Sequence, residues 1–114
     1  MVGLGGFAPD GTPIDLEEWE RLFALRAEDL APESWWRKRT EVEPGVEVST
    51  VWIGLTADGS WEGMIFGGAY DEWRWRYASR EEALDDHERL VRALREGRNP
   101  AEAADHARWE AKAE

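Results

Sequence analysis

Apolar residues at Leu16, Trp19, Leu22, Phe23 and Leu25, separated by Glu17, Glu18, Glu20 and Arg21, follow helical spacing. Asp15 stands where it can cap the free amides of that helix, and Glu18 three residues on completes a variant capping box. The helix is expected to stop at Ala31-Pro32, because proline disfavours the helical conformation in the residue before it. Ahead of it, residues 7–14 carry an Asp10-Gly11 turn between short extended pieces, which predicts a small hairpin. From Trp35 the period changes to two. Residues 35–42 and 46–55 read as strands joined at Pro44-Gly45, and the second is rich in β-branched residues. Asp58-Gly59 marks the next turn and residues 61–67 a third strand. A loop over 67–71 leads to a fourth strand, 72–78, in which Trp73, Trp75 and Tyr77 alternate with Arg74 and Arg76.

Ser79 followed by Glu82 is a second capping box, and it opens a helix over 80–96. Leu84, His87, Val91 and Leu94, with Ala83 and Leu90 beside them, form its apolar stripe, and Gly97 ends it. Asn99-Pro100 supplies a cap and a first-turn proline for a last helix, 100–112, in an alanine-rich segment. Short connections make an antiparallel meander the simplest path for the strands. The pattern therefore predicts one α+β domain over residues 1–114: a short N-terminal hairpin, then a four-stranded antiparallel meander with helices packed on one face. The glycine-rich residues 1–6 read as a flexible start, and 100–114 as a peripheral C-terminal helix.

Composition narrows the function. A length of 114 residues suits a single core. Without cysteine there is no disulfide and no thiolate for catalysis or metal ligation. No run approaches the roughly 20 apolar residues of a membrane span, and the start lacks the basic flank of a signal peptide, so a cytoplasmic protein is expected. A formal charge of -11 argues against binding duplex nucleic acid or a membrane surface. The charge is uneven: residues 1–34 hold eight acidic and two basic residues, whereas 35–40 hold three basic and none acidic.

That local reversal coincides with the aromatics. Four of the eight tryptophans lie in Trp35-Trp36-Arg37-Lys38-Arg39 and Trp73-Arg74-Trp75-Arg76-Tyr77. The inward aromatics of the second run are accounted for as core. Arg74 and Arg76 on the opposite side, near Arg37 or Arg39, would make a positive patch suited to phosphate, with Trp36 or Trp52 placed to stack a base. His87, on the apolar side of its helix, reads either as a general base or ligand contact over the sheet, or as a histidine at the core edge, hydrogen-bonded to a backbone carbonyl or to Tyr77. The expected ligand-binding set is thus Trp36, Arg37, Arg39, Trp52, Arg74, Arg76 and His87. No catalytic residue is expected: Ser49, Ser60 and Ser79 lack any recognisable nucleophile elbow, Ser79 being accounted for as a cap, and Asp85-Asp86-His87-Glu88 reads as a solvated helix face. Two histidines far apart in sequence, His87 and His106, make no metal site, and no cofactor is implied.

Three fragments in order, Val48-Ser49-Thr50-Val51-Trp52-Ile53-Gly54-Leu55, Glu62-Gly63-Met64-Ile65-Phe66-Gly67-Gly68, and Arg76-Tyr77-Ala78-Ser79 with Glu82-Ala83-Leu84 and His87, resemble a group of small uncharacterised proteins of bacteriophages, prophages and actinobacteria. The resemblance covers roughly residues 7–95. It departs after Leu55, where the loop is short and lacks the Asp-His pair such proteins often carry. It implies a phage or mobile-element setting, with the host cytoplasm as location, and transfers no activity. Two functions follow as expectations. The first is a non-enzymatic protein that binds a small nucleotide-like ligand, sequestering a host immune signal. The alternative is an accessory factor that binds and inhibits a host protein through exposed aromatics and its acidic first helix. A homo-oligomer is expected in either case, since eight tryptophans exceed what one such core needs.

Overall fold

The computed structural model describes residues 4–29, 31 and 33–112. Strands β1 (Leu4–Phe7) and β2 (Pro13–Asp15) form a hairpin, followed by helix α1 (Leu16–Glu28). Strands β3 (Glu33–Ser34), β4 (Arg37–Glu43), β5 (Val46–Trp52), β6 (Trp61–Phe66) and β7 (Arg74–Tyr77) come next, then helices α2 (Arg80–Arg95) and α3 (Pro100–Ala103) and strand β8 (Trp109–Ala111). The fold is α+β. The main sheet is an antiparallel meander of six strands in the order β3-β4-β5-β6-β7-β8. It has more strands than the four expected.

The difference arises at both ends. Trp35 and Trp36 do not open a strand: they form the two-residue turn between β3 and β4, where Ser34 pairs with Arg37. At the far end the helix expected over 100–112 stops at Ala103, and Trp109–Ala111 pairs with β7 instead. Alanine favours helix locally, but an isolated short helix is marginal. Here the buried carboxylate of Asp86 accepts the amides of Asp105 and His106, and Arg108 donates to the Arg76 carbonyl, so the segment turns and runs along an otherwise open sheet edge. Long-range acceptors outweigh local propensity. Residues 113–114 of the expected helix lie outside the described residues.

The N-terminal glycines also differ from expectation. Residues 4–7 are the first strand of the hairpin, while 1–3 lie outside the described residues. A Cβ at Gly6 would sit 2.3 Å from the Trp19 ring and 2.5 Å from the Gly54 carbonyl oxygen, and one at Gly5 would meet the Leu16 backbone. The glycines permit close packing of hairpin, helix and sheet; looseness is not their role. Asp15 caps α1 through the Glu18 amide as the sequence predicts, but α1 ends at Glu28. Pro32, the expected terminator, lies outside the described residues.

The core lies on one side of the sheet. Val48, Thr50 and Trp52 of β5, Trp61 and Ile65 of β6, and Trp75 and Tyr77 of β7 are buried beneath α2, which contributes Ala83, Leu90 and Val91. Ser79 caps α2 through the Glu82 amide. Leu84, placed in the apolar stripe by its spacing, is only half-buried, whereas Asp86 is wholly buried. The helix α1 meets the same side at its end, where Trp19 lies 6.3 Å from Trp52.

Candidate functional site

The alternation of β5, β6 and β7 divides the expected ligand-binding residues between two faces. His87, on α2, is fully buried. Its Nε2 lies 2.8 Å from Thr40 Oγ1 and its Nδ1 2.7 Å from Thr50 Oγ1. Burial pushes its pKa down to about 4, with Lys38 adding to the fall and Glu88 opposing it. A neutral ring with both nitrogens engaged is a structural cross-brace between helix and sheet, out of reach of any ligand at the surface. Trp52 is buried too, its Nε1 donating to the Phe7 carbonyl, so it offers no face to a base. Trp36 is half-buried, 5.4 Å from Trp52.

The arginines do not separate in this way: by register Arg37, Arg39, Arg74 and Arg76 all leave the sheet on the face opposite α2, although Arg37 donates to the Arg26 carbonyl at the end of α1. On that face Ser49 and Met64 stand between Arg39 and Arg74 in one cross-strand row. The arginine charges are largely compensated. Arg39 pairs with Glu47 at 2.6 Å and Arg76 with Glu62 at 3.2 Å, while Arg76 also lies 4.9 Å above the Trp109 ring. Three strand spacings, about 14 Å, separate Arg39 from Arg74. The structure therefore places four of the seven residues on one face, with mixed charge around them and Arg37 held by α1, and leaves Trp36, Trp52 and His87 elsewhere.

A different constellation forms a groove of about 630 Å³, lined by Ala8, Pro9, Asp10, Trp35, Ser79, Arg80 and Glu81. Trp35 is 51% exposed there. Two other indoles hold it from behind: Trp36 at 4.9 Å and Trp61 at 6.1 Å, both edge-on. The Arg80 guanidinium lies 5.0 Å over the Trp35 ring, and its Nε donates to the Trp35 carbonyl, so indole and cation are fixed to each other. The opposite wall is also tied down. Ser60 Oγ donates to the Ala8 carbonyl and Trp61 Nε1 to that of Pro9, which holds the β1–β2 loop against the sheet. The first amides of α2, which have no acceptor within the helix, begin at the same place. Two carboxylates, Asp10 and Glu81, stand on the rim. Asp10 is held in its charged form by hydrogen bonds from Thr12.

The sequence points to Trp36 as the stacking residue, whereas the exposed indole is Trp35, and nothing in the sequence marks Arg80. Neither is legible in the sequence, whose period-two pattern puts Trp35 in a strand; the turn that exposes its indole appears only in the fold. Asp85-Asp86-His87-Glu88 is not a solvated face throughout: Asp85 and Glu88 are exposed, but Asp86 and His87 turn inward. A polar pair, Asp86-His87, interrupts the in-facing spacing Ala83, Leu90, Val91, and both residues prove buried.

A third cluster gathers Asp85, Asp86 and His106, whose potential ligating atoms lie within 4.8 Å of one another. Arg89 already supplies the cation: its Nε is 3.3 Å from Asp85 and 3.8 Å from Asp86, and its Nη2 is 3.8 Å from Asp105. His106 Nε2 lies 2.6 Å from Asp85, which raises the imidazole pKa. Burial, followed by the Asp86 charge, keeps Tyr77 protonated well above the usual phenol range. The cluster is a fastening for the chain at residues 105–106. Comparison of the chain with protein-family profiles, curated proteins and solved structures returned no match.

Proposed function

We propose that this protein is a non-enzymatic binding protein, and that the groove beside Trp35 holds a small nucleotide-like ligand. The observation that carries this reading is the half-exposed Trp35 indole, braced by Trp36 and Trp61 and crossed by the Arg80 guanidinium within a concavity of ligand size. A planar base finds an immobile aromatic face, so little ordering cost is left for the binding step. Arg80 and the first amides of α2 favour a phosphate, and the rim carboxylates of Asp10 and Glu81 can accept from the exocyclic amines of a base. The acidic remainder of the chain disfavours long nucleic acid and leaves a ligand with few phosphates as the better fit. In the phage setting that the sequence resemblance implies, such a protein acts in the host cytoplasm by sequestering a nucleotide signal of host immunity.

Titration calorimetry against a panel of mononucleotides, cyclic dinucleotides and ADP-ribose derivatives tests the proposal. One member of the panel is expected to bind, to be recovered chemically intact after heat release, and to bind roughly 5–100-fold more weakly to Trp35→Ala. Absence of binding across the panel, or recovery of a converted ligand, would sink it. A second reading is favoured by one feature of α1: the helix buries no residue fully and exposes Leu16 and Leu25 beside Glu17 and Glu20. In that reading the helix docks on a host protein, and Leu25→Glu abolishes the association while leaving the groove intact.

A further inference from the structure

We propose that the uncovered face of the six-stranded sheet is the surface on which two copies of this chain meet. Helix α2 packs against β4, β5, β6 and β7 on the side of Val48, Thr50 and Trp52. The opposite side carries Val51, Met64, Phe66 and Trp109, of which Phe66 and Trp109 are each 44% exposed. Phe66 borders a shallow depression with Arg39, Glu41 and Glu47. Met64 borders another with Glu72, Arg74 and Lys112. Apolar groups thus alternate with charges along the whole width of the sheet.

Charge selects the occupant. The chain as a whole carries -11, yet this face sets Arg37, Arg39, Arg74 and Arg76 against Glu41, Glu47 and Glu62, four cations to three carboxylates. Two copies meeting through α1 would press acid against acid, and the outer side of α2, where Glu81, Asp85 and Glu88 stand among Arg89, Arg92 and Arg95, exposes no large apolar group. Meeting through this face, they bring together surfaces that are free of the chain's acid excess and carry both signs of charge, which is what a two-fold self-complementary contact requires. A basic partner would be drawn to the acidic helix α1 instead. Arg74, unlike Arg39 and Arg76, has no carboxylate partner among the described residues and rests only near Trp109, at 5.8 Å. It is the cation left over for a carboxylate of the second copy.

Size sets the strength. Five strands about 4.8 Å apart and about 17 Å long give a flat footprint of about 400 Å² per copy, roughly 800 Å² in all. That is the range of a weak, concentration-dependent dimer.

Light scattering after size exclusion, run on the full chain from 1 to about 300 µM, reads the outcome. The mass is expected to rise from 13.1 kDa towards twice that value. Phe66→Glu is expected to weaken self-association at least tenfold with an unchanged circular dichroism spectrum, and Leu25→Glu on α1 to leave it unaltered. Arg74→Glu, at an exposed position, tests the same surface by charge alone and is expected to weaken association similarly, so a misfolded Phe66 variant would not shelter the idea. A mass of 13.1 kDa at every concentration overturns the proposal. So does a dimer that survives Arg74→Glu and Phe66→Glu but dissolves in Leu25→Glu.

Discussion

Two histidines in this chain respond to pH with opposite sign. The unfolded chain takes up a proton at His87 near 6.5, but the folded protein resists it until about 4, because the charged ring would be stranded between Thr40 and Thr50. The contribution of His87 to stability is therefore fully present above the unfolded value and is lost as pH falls from 6.5 towards 4. At His106 the folded pKa is raised by the bond to Asp85. Its contribution is fully present below the unfolded value and fades as pH rises through the folded one. Proton NMR of the imidazole resonances is expected to show His106 titrating above 6.5 and His87 silent down to pH 5. A His87 midpoint near 6.5 would mean that the ring is not buried between the two threonines.

At the level of elements, the C-terminal strand depends on one carboxylate. Asp86 receives the amides of Asp105 and His106, and the chain then lies along β7. Asp86→Ala is expected to cost roughly 2–4 kcal/mol, since charge-assisted bonds are lost and two amides are left without acceptors. Hydrogen exchange in the variant is expected to quicken first at residues 105–111; uniform quickening would place the loss in the core instead. The contrast with α2 shows what a sequence can and cannot disclose. The Ser79–Glu82 box, the stripe through Leu90 and Val91 and the alternation of Trp75 and Tyr77 with Arg74 and Arg76 are local patterns, and the structure realises them. The last strand was illegible because its acceptors lie about twenty and thirty residues away, on Asp86 and Arg76, while alanines at hand spoke for helix. The candidate groove was illegible for the same reason. Trp35, Arg80 and Asp10 come from three separate elements, and the period-two pattern put Trp35 in a strand, with no sign of the turn that leaves its indole uncovered.

The whole molecule is elongated, 50 × 26 × 25 Å, and built in a single core layer. One side of the sheet is sealed by α2, and the other is open, so equal truncations on the two sides should have unequal effects. Leu90→Ala, removing a fully buried side chain, is expected to destabilise the monomer by about 2–5 kcal/mol. Phe66→Ala, at a half-exposed site, is expected to stay within about 0.5 kcal/mol at dilute concentration. Chemical denaturation followed by far-ultraviolet circular dichroism measures both. Comparable losses would show that the second face is as well packed as the first.

One arrangement described above has an optical consequence. Phe23, Trp19, Trp52, Trp36, Trp35 and Trp61 follow one another at centroid separations of 4.8 to 6.3 Å, in orientations from near-parallel to edge-on. Indoles so close and so fixed share their excited states, and light absorbed by a buried ring is passed along to its neighbours. Trp35 is the point at which this relay reaches the surface. Whatever settles on that ring alters the emission and the near-ultraviolet dichroism of the whole string, so the protein carries its own reporter for an occupied groove and needs no added dye.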